Sequence, residues 1–378
     1  MIPYGRQSID AADIKSVVDV LQSDWLTTGP GIPAFETEFA KTVGARYAVA
    51  VSSGTAALHC AMFALGITSG DEVIVTPMTF AATANCIVYQ GGIPVFADVL
   101  PDTLLIDPEQ VEKKITSKTK AIIAVDYAGH PCNWDALKQI AHDHGVWLVA
   151  DSCHALGATY HGKKVGSLAD LSTFSFHPVK HITTGEGGMI TTDHEGFAGR
   201  MRLFRNHGIA TDHYQRELLG SWAYEMIDLG FNYRITDFQC ALGLSQLNKL
   251  PLSLQKRAEI ARKYDSAFGL LNGVSPLGKD PEITHAYHIY VIKLTPDIVL
   301  RSREQIFHEL RNRGIEVNVH YIPVHLHPYY QKQWGTRPGD CPQAEAAYEQ
   351  ILSLPMYPGL TDYEVALVIE QICYVLKS

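Results

Sequence analysis

From Tyr47 to Thr192 the chain alternates between two patterns of apolar and polar positions. Short runs rich in β-branched and apolar residues (Tyr47–Val51, Glu72–Thr76, Pro94–Asp98, Ala121–Val125, Val146–Asp151, Ser172–Phe176 and Met189–Thr192) predict strands. The stretches between them predict helices, and such alternation implies a mostly parallel sheet covered by helices. Thr55–Leu65 has the residues of a buried helix, with Ser52, Ser53 and Gly54 before it and Gly66 after it. Its start is expected at the carboxyl edge of the sheet, where α/β proteins usually bind their ligands.

After about Leu250 the pattern changes. A helical stretch Leu254–Leu271, a Pro/Gly-rich connection, a strand-like run His288–Leu294, a helix Arg303–Arg313 and a last helix near Asp362–Leu376 predict a smaller α+β unit. The expected division is therefore a large domain over 1–250, whose N-terminal segment packs on the small one, and a C-terminal domain over 251–378. Gly335–Gln343 reads as a surface loop.

Composition narrows the class. The chain has 378 residues, 46% of them hydrophobic, enough for a sizeable core in two domains. A formal charge of −9, with basic residues scattered among acidic ones, offers no stripe to track nucleic acid. No window approaches the run of about 18 apolar residues that spans a membrane, and the start MIPYGRQSIDAADI has no signal-peptide pattern, so a cytoplasmic location is expected. Seven cysteines stand far apart without a C-x-x-C pair and read as reduced thiols, mostly in the core.

Four elements carry chemistry. Ser52-Ser53-Gly54-Thr55 opens a helix, whose free N–H groups and dipole can hold a phosphate, although Ser-Gly-Thr is also an ordinary cap. Asp151 ends the apolar run VWLVAD, where it can pair with a pyridinium nitrogen or merely cap a turn. Lys180 follows a strand end beside the glycine-rich TTGEGG, placed to form a Schiff base and move protons. Alone, such a lysine would read as a solvated surface residue. Phe80 follows a strand and can stack on a flat ring or sit in the core.

Together these segments resemble the DegT/DnrJ/EryC1/StrS sugar aminotransferases, fold type I enzymes dependent on pyridoxal 5'-phosphate. The motifs are AVSSGTAAL (Ala50–Leu58), TPMTFAATAN (Thr76–Asn85), VADSCHALGA (Val149–Ala158), FSFHPVKHITTGEGG (Phe174–Gly188), RNHG (Arg205–Gly208), LGFNYRITDFQCALG (Leu229–Gly243) and LSLPMYPGLT (Leu352–Thr361). They run in family order over nearly the whole chain. The resemblance implies an α/β fold with a seven-stranded sheet, and a homodimer with active sites at the subunit interface. It assigns the cofactor phosphate to Ser53, Gly54, Thr55 and Ser175, ring stacking to Phe80, the ring nitrogen to Asp151 and the Schiff base to Lys180. Asn232 would reach the phosphate of the partner subunit. His154 stands where many members have glutamine, which leaves its contact with the cofactor open.

Within the family, IPYGRQSID, SDWLTTGPGIPAFE and FHPVKHITTGEGG look most like the transaminases of pseudaminic acid synthesis. That implies a UDP-linked 2-acetamido-2,6-dideoxy-4-keto hexose as acceptor at C4 and L-glutamate as donor. Tyr4, Arg6, Thr28, Tyr321 and His327 are candidate substrate contacts. Tyr233, Arg234 and Arg205 are candidates for donor carboxylate or nucleotide phosphate, with a structural ion pair the plainer reading of each arginine. His320, His325 and His327 have short spacing but no completing ligand nearby, so no metal is expected. Other 3- or 4-keto sugars remain open, as does a protein that binds the cofactor without turnover. Lysine at position 180 speaks against the dehydratases of the family, which typically carry histidine there.

Overall fold

In a computed structural model of the chain, describing residues 1–211, 216 and 220–377, the predicted strands form one seven-stranded sheet. They are β1 (Tyr47–Val51), β2 (Glu72–Val75), β3 (Ile93–Phe96), β4 (Thr119–Val125), β5 (Trp147–Asp151), β6 (Leu171–Ser175) and β7 (Gly188–Thr192). Their spatial order is β1-β7-β6-β5-β4-β2-β3. Only β7 is antiparallel, to both β1 and β6; the other neighbours pair in parallel. A parallel sheet is buried on both faces, which is why β2, β4 and β5 read as near-continuous apolar runs and are buried along most of their length.

The helix Gly54–Leu65 carries the chain away from β1 and packs against β6 and β7. It is buried on nearly every side, and Gly66 ends it at φ 74°, a left-handed conformation that glycine adopts without a Cβ penalty. No helix among the described residues is long and apolar enough to cross a membrane. All seven cysteines are free, five of them buried.

A second apolar cluster gathers Tyr264, Phe268, Tyr290, Ile292, Leu310 and Val368. It includes the antiparallel strands Val274–Pro276, Tyr290–Leu294 and Ile351–Leu354 and the helices Arg303–Asn312 and Asp362–Lys377. Ile2 joins this cluster, and the N-terminal strand-like segment is tied to it by the Ile2 N–H on the Gly314 carbonyl at 2.7 Å.

The expected division at residue 250 falls inside a single helix, Asp237–Phe268, which runs on through Pro251. Cys240, Leu247 and Leu250 of its first half sit in the sheet's core, whereas Ile260, Tyr264 and Phe268 of its second half sit in the other cluster. The change of pattern at 250 is thus a change of packing partner along one helix.

The run expected to be a strand from His288 starts only at Tyr290. Before it, the chain is drawn back to the large sheet: the Ala286 N–H reaches the Gly129 carbonyl and the His288 N–H the Ala128 carbonyl, each at 2.9 Å. Gly129 permits the approach, because a Cβ there would lie 2.7 Å from the Tyr287 nitrogen and 2.9 Å from the His154 carbonyl oxygen.

Candidate active site

The helix start comes first in the chain. Ser53 is extended, and its Oγ accepts from the Ala56 N–H at 3.0 Å. The other N–H groups of a first turn have no intrahelical partner. Two glycines let this turn press onto the sheet's edge. A Cβ on Gly54 would lie 2.8 Å from the Ser175 Cβ, and one on Gly188 would lie 2.3 Å from the Ser53 carbonyl oxygen. Helix N-terminus, Ser175 at the end of β6 and the start of β7 therefore form one polar floor.

Asp151 ends β5 beside that floor and is 5% exposed. Its Oδ2 accepts from the Thr83 hydroxyl at 2.7 Å, itself 2.7 Å from the Thr79 hydroxyl, and its Oδ1 accepts from the Cys153 N–H at 3.2 Å. Among the described residues no cationic nitrogen lies within ion-pair distance of Asp151, so a buried carboxylate keeps a side free for a cationic ligand.

Lys180 stands in a turn after β6, with its N–H on the His177 carbonyl at 2.9 Å. Burial pushes its amine below the usual lysine range. Its Nζ is 3.3 Å from the Nε2 of His288, whose ring centroid is 4.3 Å from that of His154. His154 in turn meets the Tyr321 hydroxyl through Nε2 at 3.0 Å. Burial holds His154, His181 and His288 well below the usual imidazole value, which favours their neutral forms. The Nδ1 atoms of His154 and His288 are buried without a hydrogen-bond partner.

These groups open on one cavity of about 540 Å³. Of the residues expected at the site, Ser53, Gly54, Thr55, Phe80, Asp151, His154, Ser175, Lys180, Tyr4 and Tyr321 line it. Phe80 is 63% exposed, which rules out the plain core reading, and its ring stands 6.3 Å from that of Tyr321. Tyr4 faces His320 with ring centroids 5.6 Å apart.

Other expected residues lie elsewhere. Thr28, Arg205 and Arg234 line a separate cavity of about 850 Å³. There Arg205 pairs with Glu36, and Arg234 donates to the Asn206 side chain at 3.0 Å. Asn232 is exposed, its backbone bridged to Asn206. The Tyr233 hydroxyl lies 3.0 Å from His59 Nδ1, away from the 540 Å³ cavity, while its carbonyl accepts from the Ser52 N–H. Arg6 borders a smaller cavity of about 280 Å³ that also reaches Lys180. The short-spaced histidines diverge: His320 meets Ser353 at 2.8 Å, His325 meets Glu345 at 2.8 Å, and His327 begins the helix Pro328–Trp334. Among the described residues no group of three or more candidate metal ligands converges.

Sequence reasoning passed over Thr79, Thr83, His288 and Asn318 and weighed His320 only as a metal ligand, yet all five line the cavity. The two threonines lie inside TPMTFAATAN and could have been found by asking what satisfies a buried strand-end carboxylate. His288 and Asn318 left no such signal, being brought in from the other end of the chain.

Comparison with known proteins places this geometry. The model of the DegT/DnrJ/EryC1/StrS aminotransferase family matches residues 7–373. The spore coat polysaccharide biosynthesis protein SpsC of Bacillus subtilis is 42% identical over all of this chain and 97% of its own. Among solved structures, Spr1654 of Streptococcus pneumoniae, assigned as a sugar aminotransferase and captured in its PMP form, superposes with a TM-score of 0.94 at 34% identity, covering 100% and 99% of the two chains. Helicobacter pylori PseC, an aminotransferase of pseudaminic acid biosynthesis, gives a TM-score of 0.93 at 34% identity, with 100% and 99% covered.

Proposed function

Because this chain belongs to the DegT/DnrJ/EryC1/StrS family, and is a pyridoxal-phosphate-dependent sugar aminotransferase, we propose that it moves the amino group of L-glutamate to C4 of a UDP-linked 2-acetamido-2,6-dideoxy-4-keto hexose, as in pseudaminic acid synthesis. The observation that carries the catalytic reading is that Lys180, Asp151 and the helix start at Ser53 share one cavity. PseC and the segments IPYGRQSID, SDWLTTGPGIPAFE and FHPVKHITTGEGG support the choice of sugar.

The donor set fits the cofactor. A buried carboxylate without a cationic partner suits a pyridinium nitrogen, a helix N-terminus packed on Ser175 suits a phosphate, and orphaned imidazole nitrogens beside the cavity suit further polar atoms of a ligand. When bound, pyridoxal phosphate supplies an electron sink that lets a proton leave the donor Cα and, later, arrive at C4 of the sugar.

The chain's own residues do the rest. Lys180 would hold the cofactor through Nζ; once free, its amine, whose basicity burial lowers, takes the Cα proton and later delivers one to C4. Asp151, oriented by Thr83, holds a proton on the ring nitrogen. The Ser53–Thr55 turn and Ser175 hold the phosphate, Phe80 covers the ring and His154 faces its polar edge. Tyr4 and Tyr321 border the space left for the sugar, and Arg6, Thr28 and His327 stand outside that wall.

The active protein is a homodimer in this reading. Trp222, Tyr224, Met226, Ile227, Leu229 and Phe231 form an apolar run 41 to 90% exposed, immediately before Asn232. A second copy would cover it and bring Asn232 to the partner's phosphate site, with Tyr233 and Arg234 beside it. The large and small domains proposed for 1–250 and 251–378 share the helix Asp237–Phe268. The same reading puts the enzyme in the cytoplasm, in keeping with the lack, among the described residues, of a helix long and apolar enough to cross a membrane.

SpsC, at 42% identity against 34% for PseC, favours a second reading: another nucleotide-linked 3- or 4-keto sugar destined for a surface polysaccharide. Both are tested together. Cofactor-loaded protein is converted with excess glutamate, freed of donor, and given nucleotide-linked keto sugars singly while the visible cofactor band is followed. Recovery with the UDP 4-keto-6-deoxy-HexNAc alone upholds the first reading, and recovery with a different sugar upholds the second. If wild type never shows the band, the cofactor assignment fails; if borohydride reduction fixes the cofactor on a lysine other than Lys180, the assignment of Lys180 is wrong.

A further inference from the structure

His288 lies 108 residues from Lys180 in sequence and is held beside it from three directions. Its N–H is tied to the Ala128 carbonyl at 2.9 Å. Its carbonyl accepts from Arg257 Nη1 at 3.1 Å, and the same nitrogen holds the carbonyls of Tyr287 and Met356 at 3.0 Å each. Arg257 is 1% exposed and has no carboxylate partner among the described residues. A buried guanidinium whose Nη1 is held by three carbonyls, with its Nε left without a partner, ties those backbone segments together, and here it braces the backbone of one imidazole. The Nε2 of that ring is 3.3 Å from Lys180 Nζ, and its Nδ1 has no partner.

We propose that His288 is a positioning residue for Lys180, its Nε2 accepting a hydrogen bond from the lysine amine whenever that amine is free of the cofactor. The inference rests on the reading of Lys180 given above. A released lysine has four rotatable side-chain bonds and must serve two different carbons in the two halves of the reaction. A fixed acceptor narrows its search.

The surroundings keep that acceptor available. Lys180, His154, His181 and Arg257 all disfavour a charge on the His288 ring, and among the described residues no carboxylate forms an ion pair with it. Burial and these basic neighbours together resist protonation of His288, which favours a lone pair on Nε2 toward the lysine amine.

Two variants of the full-length holoenzyme separate position from polarity. The terminal amide of glutamine reaches where Nε2 stands, whereas that of asparagine reaches only to Nδ1. For each of His288→Gln and His288→Asn, two quantities are measured: the limiting rate and half-saturation of band loss with glutamate, and the rate at which formaldehyde with a borane reductant methylates Lys180 in the amine form of the enzyme, read by peptide mass across pH.

Asparagine should lower the limiting rate about tenfold without changing half-saturation, and should alter the pH profile of Lys180 methylation, as expected for loss of a charge-assisted hydrogen bond. Glutamine should stay within about threefold of wild type on both. If the two variants match each other on both readouts, the inference is overturned. Should the Asn variant fail to bind cofactor, His288→Ala with and without added imidazole replaces it, and absence of rescue overturns the inference equally. A cofactor fixed by borohydride reduction on a lysine other than Lys180 would sink the underlying reading, and this inference with it.

Discussion

β4 and β5 lie side by side and each leads into a buried aspartate, yet the two carboxylates are used in opposite ways. Asp126, one residue past β4, is fully enclosed and takes three donors from its own chain: the Cys132 N–H at 2.9 Å, the Trp134 indole at 3.2 Å and the Ser152 hydroxyl at 2.7 Å. Asp151, at the end of β5, takes only the Thr83 hydroxyl and the Cys153 N–H and faces the cavity. A carboxylate whose acceptor capacity is consumed by the chain is architecture. One left partly unsatisfied beside a cavity is held in reserve for a ligand.

The largest effect should come from Asp151→Asn. The variant should fold, since Asn keeps an acceptor for Thr83, but turnover should fall by about 10²–10³-fold because the ring nitrogen loses its anionic partner. Steady-state rates with glutamate and the accepted keto sugar check this, and near-normal turnover would erase the distinction between the two aspartates.

Thr83→Val removes the hydroxyl that orients Asp151 and nothing else of its size. A loss of about tenfold in turnover is expected, with the carboxylate still present but free to turn. Cofactor affinity by equilibrium dialysis should weaken in parallel. An unchanged affinity would show that the Thr83 bond is only structural.

Asp126→Asn should leave turnover unchanged within about twofold and act on stability instead. Its Oδ1 can keep Cys132 and Trp134 while the new amide donates to Ser152. Burial pushes the Asp126 carboxyl up to about 7, above its unfolded value, so the folded state prefers the protonated acid. The stability this group contributes is present below about pH 4 and is lost as pH rises through about 7. The variant has no such loss, so its advantage over wild type in urea unfolding should be larger at about pH 8 than at about pH 5. An equal difference at both would refute the assignment.

The same contrast explains how much could be read in advance. Strands were legible because a parallel sheet demands continuous apolar runs, and the observed ends fall within a residue or two of the expected ones. Asp151 and Lys180 stood out as charged residues at the ends of such runs, where no core needs them. Asp126 also follows an apolar run, in AIIAVD, and nothing local marks it as enclosed; its donors come from Cys132, Trp134 and Ser152. The strand expected from His288 starts two residues late because Gly129 and Ala128 capture the preceding backbone, a contact between segments more than 150 residues apart. For the same reason the histidines at 320, 325 and 327 looked like a cluster in sequence and are not one in space.

What the sequence by itself determined is the alternation that makes the sheet, the capped helix at Ser53 and the few polar residues placed at strand ends. These depend on periodicity and on backbone groups within a turn or two, so local order encodes them. Only the tertiary structure decided which polar atoms are spent on the chain and which are left over: Asp126 closed and Asp151 open, Tyr233 turned to His59, Arg205 paired with Glu36, and His288 drawn beside Lys180. The physical reason is that hydrogen-bond satisfaction of a buried group is settled by whatever the fold brings within about 3 Å, and those partners come from anywhere in the chain.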